Sequence, residues 1–242
     1  MQSKAGLRGA PLIPYKNFYT VIPKEILSSI PEIKYKNFNK MRIKLPSTII
    51  LLGSSGSGKT NWLLHFLSLV DSYDTVTIYA RNTSEPLYVF LIQSLNAAGI
   101  PCEVHNDLEN VKDPLEFDSR LNNCVIADDF MSAPKKSLEP LGNIANSGRK
   151  QNITFIWITQ SYFLGTPQAI RQNASYIVIF KLKTRGDAKR ICADSSLDMD
   201  PDDLLQKLAY IQSNGQGQFM MLDKNTTVHS QKFRENWGNG MG

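Results

Sequence analysis

The chain contains few cysteines and no long apolar run. Its three cysteines, Cys102, Cys124 and Cys192, follow neither a C-x-x-C pattern nor the Cys/His spacing of a zinc site. We therefore expect reduced core thiols in an intracellular compartment, without a structural metal ion. No stretch approaches the ~20 apolar residues of a membrane-spanning helix, and the polar N-terminus predicts no signal peptide. With no internal repeat or low-complexity tract, the 242 residues suit one soluble α/β domain.

Basic residues are concentrated near the N-terminus. Residues 1–50 hold nine Lys or Arg against two Asp or Glu, and aromatic side chains interleave with the cations in residues 34–44. This pattern suits a polyanion such as DNA, because cations that neutralise phosphates release counterions. A solvated arm is the alternative that charge alone leaves open. We predict a basic arm over residues 1–45 that packs on the core, a main domain over 46–235 and a flexible tail over 236–242.

The central motif is Gly53-Ser-Ser-Gly-Ser-Gly-Lys-Thr60, which matches the G-x-x-x-x-G-K-[ST] pattern of a P-loop. Glycines let the backbone turn tightly, so that successive N–H groups point at phosphate oxygens. An apolar strand over 48–52 and an amphipathic helix over 61–70 flank the motif as a P-loop requires. We expect Lys59 to reach the β- and γ-phosphates of ATP and Thr60 to bind Mg²⁺. The predicted nucleotide-binding residues are Gly53, Ser54, Ser55, Gly56, Ser57, Gly58, Lys59 and Thr60.

Two later strands end in polar residues that suit the same site. Asp128 and Asp129 follow an apolar run, as in a Walker B strand. We predict that Asp128 holds Mg²⁺, directly or through water, and that Asp129 polarises the attacking water, unless it simply caps the next turn. The apolar strand over residues 153–159 ends in Gln160. One division of P-loop proteins inserts such a strand between the Walker A and Walker B strands and uses its terminal amide to sense the γ-phosphate. Gln160 fits that role, with a surface glutamine as the alternative.

Four segments together resemble the FtsK/HerA superfamily of DNA-pumping ATPases: residues 53–60, 125–129, 148–160 and 170–173. Within it, residues 148–163 are similar to the genome-packaging ATPases of large cytoplasmic DNA viruses and their virophages. The resemblance covers roughly residues 47–223. It implies a P-loop α/β fold with a mainly parallel sheet of order 5-1-4-3-2, flanked by helices. It also implies a ring of six subunits with ATP hydrolysis at the interfaces. An arginine finger acts there in trans, with Arg149 as first candidate and Arg171 as second.

The function implied by this resemblance is an ATP-driven double-stranded DNA translocase that packages a viral genome. It implies DNA and a capsid vertex protein as partners, and a place in the host cytoplasm or viral factory, or with the virion. The superfamily usually has glutamate where this chain has Asp129, which puts the role of that acid in question. Two alternatives remain. A nucleotide or nucleoside kinase shares the P-loop, although no arginine cluster follows the fourth strand. An ATP-binding oligomeric scaffold with slow hydrolysis would tolerate the shorter acid.

Overall fold

The structure is a computed structural model that describes residues 41–238, except 183, 198, 216, 227 and 229–231. Most of the predicted arm therefore lies outside the described residues. The strands are β1 (Thr48–Leu52), β2 (Thr75–Ala80), β3 (Cys102–His105), β4 (Asn123–Asp128), β5 (Ile153–Thr159), β6 (Tyr176–Ile179), β7 (Met220–Asp223) and β8 (Phe233–Glu235). The helices are α1 (Lys59–Val70), α2 (Pro86–Ala97), α3 (Lys135–Ser147), α4 (Gln168–Asn173), α5 (Arg185–Asp194) and α6 (Pro201–Ser213). Short 3₁₀ turns span Pro114–Glu116 and Gly148–Gln151.

One eight-stranded sheet organises the described residues, in the order β3-β2-β4-β5-β1-β6-β7-β8. All pairings from β3 to β6 are parallel, whereas β7 and β8 add antiparallel strands at one side. The central order β6-β1-β5-β4-β2 is the predicted order 5-1-4-3-2, with β3 added beyond it. The strand that ends before Gln160 lies between the Walker A and Walker B strands, so the predicted fold class is confirmed.

Helices cover both faces of the sheet, which explains why its central strands are apolar throughout rather than alternating. In β1, Ile50 and Leu52 pack in one core cluster with α3 to α6. Ile49 and Leu51 point to the other face, where the cluster includes α1 and α2. All five residues of β1 are buried. Among the described residues, no helix is long and apolar enough to cross a membrane.

The register aligns the carboxyl ends of four strands at one edge of the sheet. Leu52 of β1 lies opposite Thr159 of β5, and Asp128 of β4 lies between Ile158 and Ala80. Because these strands are parallel, the segments that follow them emerge side by side. This edge therefore gathers the P-loop, both Walker B acids and Gln160.

The C-terminal strands β7 and β8 form an antiparallel pair at one side of the sheet. In this pair, Leu222 of β7 lies opposite Phe233 of β8. The Arg234 guanidinium is buried and donates to the Met41 carbonyl at 2.9 Å, which fixes this strand to the start of the described chain. Trp237 stacks on Trp62 of α1 with ring centroids 5.1 Å apart. The first residues of the predicted tail are thus packed against α1. The division into arm, domain and tail stays a prediction.

Candidate active site

The P-loop connects β1 to α1 and depends on glycine at defined positions. Gly56 and Gly58 have φ values of 71° and 101°, in the left-handed region that favours glycine. At Gly53, a Cβ would lie 2.5 Å from Ser57 Oγ and 2.9 Å from Phe180 Cβ, closer than such atoms approach. The backbone cradle therefore has no room for a side chain at its entrance.

Lys59, the first residue of α1, crosses the mouth of this cradle. Its Nζ donates to the carbonyl oxygens of Gly53 and Ser54, each at 2.9 Å. The Gly53 N–H donates to the Thr159 carbonyl at 3.1 Å and joins the loop to β5. The lysine charge is thus held over the loop at the positive end of α1, where an anionic phosphate group is favoured.

A cleft of about 250 Å³ opens beside the loop at the carboxyl edge of the sheet. The structure brings seven of the predicted site residues into its lining: Ser55, Gly56, Lys59, Thr60, Asp128, Asp129 and Gln160. Arg81, Asn82 and Glu85, which follow β2, add further polar groups to the lining. One cleft thus combines a cation, hydroxyl groups and carboxylates, as binding of a nucleotide with its metal ion requires.

The carboxylate of Asp128 accepts a hydrogen bond from a buried tyrosine that is outside the lining of the cleft. Tyr88 of α2 is 1% exposed, and its hydroxyl donates to Asp128 Oδ2 at 2.7 Å. Burial raises the pKa of Asp128 above its ordinary value, while the Tyr88 hydrogen bond and the Lys59 charge oppose the rise. Burial and the nearby carboxylate also raise the pKa of Tyr88, so the hydroxyl keeps its proton and acts as a donor.

Asp129 and Gln160 reach the cleft in different ways. Asp129 is exposed and has a φ of 63°, which turns the chain sharply as it leaves β4. Gln160 is half-buried and directly follows β5. Both line the cleft beside Asp128, so their positions are compatible with the roles expected from the sequence.

The oxygen donors of the cleft suit a magnesium ion bound together with a nucleotide. Among the described residues, no group of three or more His, Cys, Asp and Glu side chains could hold a metal without help. Mg²⁺ commonly takes only one or two protein ligands and completes its shell with phosphates and water. The Thr60 hydroxyl and the Asp128 carboxylate are donors of that kind.

Arg149 lies away from this cleft. It is exposed in the 3₁₀ turn Gly148–Gln151, just before β5 begins. The seven residues of β5 separate this turn from Gln160 by roughly 20 Å, at about 3.3 Å per residue. Arg149 therefore stands at the opposite edge of the sheet from the cleft.

The second arginine candidate, Arg171, is buried and bonded within its own chain. Its side chain is 8% exposed, and its Nε donates to Asp194 Oδ2 at 3.1 Å. One terminal nitrogen donates to the Phe163 carbonyl at 3.2 Å and, in a shorter bond, to that of Thr166. A guanidinium with these partners holds the loop after β5. A finger role for Arg171 would require these bonds to break, and it stays a prediction.

Several residues of the site were not predicted from the sequence. Tyr88 contacts Asp128 from 40 positions away, a pairing that depends on how α2 packs on the sheet. Arg81 and Asn82 directly follow β2. The predicted sheet order places β2 next to the Walker B strand. Because parallel strands bring the residues that follow them to the same edge of the sheet, this order could have identified Arg81 and Asn82.

One family model matches most of the chain. The model described as Poxvirus A32 protein matches residues 33–235. No curated protein matches the chain in sequence.

Three solved structures share the fold at low identity. The genome packaging NTPase B204 from Sulfolobus turreted icosahedral virus 2, in complex with AMPPCP, is 15% identical with a TM-score of 0.56, and the match covers 80% of this chain and 98% of B204. The cytoplasmic domain of the Thermomonospora curvata Type VII secretion ATPase EccC is 13% identical with a TM-score of 0.55, over 80% of this chain and 25% of that one. The pCW3 conjugation coupling protein TcpA is 12% identical with a TM-score of 0.50, over 81% and 62% of the two chains. At these identities the likeness shows the fold alone.

Proposed function

Because the chain belongs to the poxvirus A32 protein family, and so is a genome-packaging ATPase of the FtsK/HerA type, we propose that it uses ATP hydrolysis to move double-stranded DNA into a viral capsid. The working unit is a closed ring of six copies around the DNA, docked on a capsid vertex protein. It acts in the cytoplasm of the host, at the viral factory. The basic N-terminal segment provides a further contact with the DNA backbone.

The observation that carries this proposal is the separation of Arg149 from the cleft of its own subunit. A cleft at one edge of the sheet and an exposed arginine at the opposite edge suit subunits packed head to tail, so that each arginine enters the cleft of the next. Such an arrangement closes into a ring when the rotation between subunits allows it. Hydrolysis in one subunit then depends on the position of its neighbour, which is what coordinated movement along DNA requires.

In this ring the residues of the cleft have separate roles. The P-loop and Lys59 bind the phosphates, while Thr60 and Asp128 would hold Mg²⁺, which would neutralise the phosphate charge when bound. Asp129 orients the attacking water and Gln160 senses the γ-phosphate. Arg149 of the neighbouring subunit stabilises the charge that develops on the transferred phosphoryl group, an effect worth about 10³–10⁵ in rate in other NTPases.

The translocation itself is tested by displacement of a third strand from linear duplex DNA. The wild-type protein should release a triplex-forming oligonucleotide in the presence of ATP. The Lys59→Ala variant should not, and its circular dichroism spectrum should match that of the wild type. Robust ATP hydrolysis without displacement, under conditions where the protein binds DNA, would contradict the translocase proposal.

The trans role of Arg149 is tested by mixing two inactive variants. Arg149→Ala retains a complete cleft, and Lys59→Ala retains the arginine, so mixed interfaces should regain hydrolysis. Arg81→Ala is the matched control, because Arg81 lines the cleft of its own subunit and its loss should not be rescued by mixing. If mixing with Lys59→Ala restores hydrolysis to neither Arg149→Ala nor Arg81→Ala at any ratio, the proposal is contradicted.

A further inference from the structure

The hydrogen bond between Tyr88 and Asp128 is the most specific contact of the cleft that the proposed roles leave unused. Tyr88 lies on the inner face of α2 with Leu91 and Leu95, and all three are buried. Leu91 and Leu95 serve the apolar core, yet Tyr88 directs its hydroxyl to a carboxylate at 2.7 Å. A phenylalanine would fill the same space without placing a polar group in the core. The hydroxyl therefore has a task at Asp128.

The hydrogen bond divides the two oxygens of Asp128 between two functions. Oδ2 accepts from Tyr88, which is outside the lining of the cleft. The carboxylate cannot rotate about its bond to Cβ without breaking this contact, so its remaining oxygen, Oδ1, is fixed as well. Asp128 lines the cleft together with Thr60 and Lys59.

We propose that Tyr88 is a positioning residue for the metal ion, and that it fixes the Asp128 carboxylate with one oxygen free to bind Mg²⁺. The inference rests on the proposed magnesium site of Thr60 and Asp128. Partners that orient a metal-binding carboxylate commonly change metal affinity 10- to 100-fold when they are removed. Tyr88 contributes this orientation from α2, whose N-cap residue Glu85 reaches the same cleft.

The test is the Tyr88→Phe variant, which removes one hydroxyl and preserves the ring in the core. The measurement is binding of a fluorescent, non-hydrolysable ATP analogue at increasing Mg²⁺ concentration, and separately in EDTA. We expect the Mg²⁺ concentration for half-maximal binding to rise about 10-fold, while the affinity in EDTA stays within twofold of the wild type.

Tyr176→Phe is the matched control. Tyr176 is also 1% exposed, and its hydroxyl accepts from the Lys44 N–H at 2.8 Å, close to the 2.7 Å of the Tyr88 bond. It lies at the start of β6, at the edge of the sheet opposite the cleft. The control should leave the Mg²⁺ dependence unchanged, because it removes a buried tyrosine hydrogen bond that has no part in the metal site.

A second comparison tests whether Tyr88 acts through Asp128. In an Asp128→Asn background, Tyr88→Phe should produce no further change in Mg²⁺ dependence. An unchanged midpoint for the single Tyr88→Phe variant, or an equal loss of affinity with Mg²⁺ and in EDTA, would overturn the inference and leave the magnesium site intact. Failure of the magnesium site itself would differ, because the wild-type protein would then bind the analogue equally with and without Mg²⁺.

Discussion

Replacement of Arg171 by alanine should destabilise the domain by about 3–5 kcal/mol, the range observed when one partner of a buried ion pair is removed. The carboxylate of Asp194 is only 13% exposed, so it would be left as a buried charge with Arg190 and Lys224 as the cations near it. The carbonyls of Phe163 and Thr166 would lose a charged donor as well. Arg190, which is 38% exposed, still pairs with Asp194 and reduces the loss of stability. The expected destabilisation therefore lies near the lower end of the range.

The assay is urea unfolding followed by tryptophan fluorescence, with Arg149→Ala as the comparison. Arg149 is exposed, and substitutions at such positions usually change stability by no more than about 0.5 kcal/mol. The free energies of unfolding of the two variants should therefore differ clearly. Arg149→Ala should keep the stability of the wild type and lose ATP hydrolysis, whereas the main effect of Arg171→Ala should be a loss of stability.

The opposite pattern would refute this interpretation of Arg171. A variant that unfolds within about 1 kcal/mol of the wild type, binds ATP and fails to hydrolyse it would mean that Arg171 acts in catalysis. The contacts with Asp194 and the loop carbonyls would then have to break in the assembled ring.

The cleft and the N-terminal segment can be tested in the same way. Lys59→Ala should reduce hydrolysis by about 100-fold or more, measured as phosphate release, and near-normal turnover would contradict the P-loop role. Gly53→Ala should weaken ATP-analogue binding at least 10-fold, since its Cβ would lie 2.5 Å from Ser57 Oγ. The control is Gly186→Ala, whose Cβ would meet no atom closer than 3.5 Å and which should bind the analogue normally. Deletion of residues 1–40, which spares the buried Met41, should make DNA binding less sensitive to salt. The slope of log affinity against log salt concentration should fall in magnitude by about 0.9 for each phosphate that the segment neutralises. An unchanged slope would assign the segment another role.

The parts of the fold that were predictable share a strong local signal. The five residues of β1 and the seven of β5 are uniformly buried, and their apolar runs are visible in the sequence. Residues that end such strands, including Asp128 and Gln160, could be placed at the cleft because parallel strands align their carboxyl ends. The order of the strands came from the resemblance and not from the runs themselves, since apolar runs alone do not say which strands are neighbours.

The parts that were not predictable depend on contacts between distant residues. In the sequence, Tyr88 resembles one more apolar position on α2, and only the packing of that helix brings its hydroxyl to Asp128. Arg171 pairs with Asp194, 23 positions away, and the sequence does not distinguish this buried arginine from the exposed Arg149. The strand β8 has three residues, too few for a pattern of alternation to identify it.

The central claim is that ATP hydrolysis is completed at interfaces between subunits and coupled to DNA. Its most direct test is ATP turnover by the purified protein over a range of protein concentrations, with and without linear double-stranded DNA. Turnover per subunit should rise steeply with protein concentration, and DNA should stimulate it further. Turnover that is independent of both protein concentration and DNA would indicate a self-contained site, and would contradict the claim.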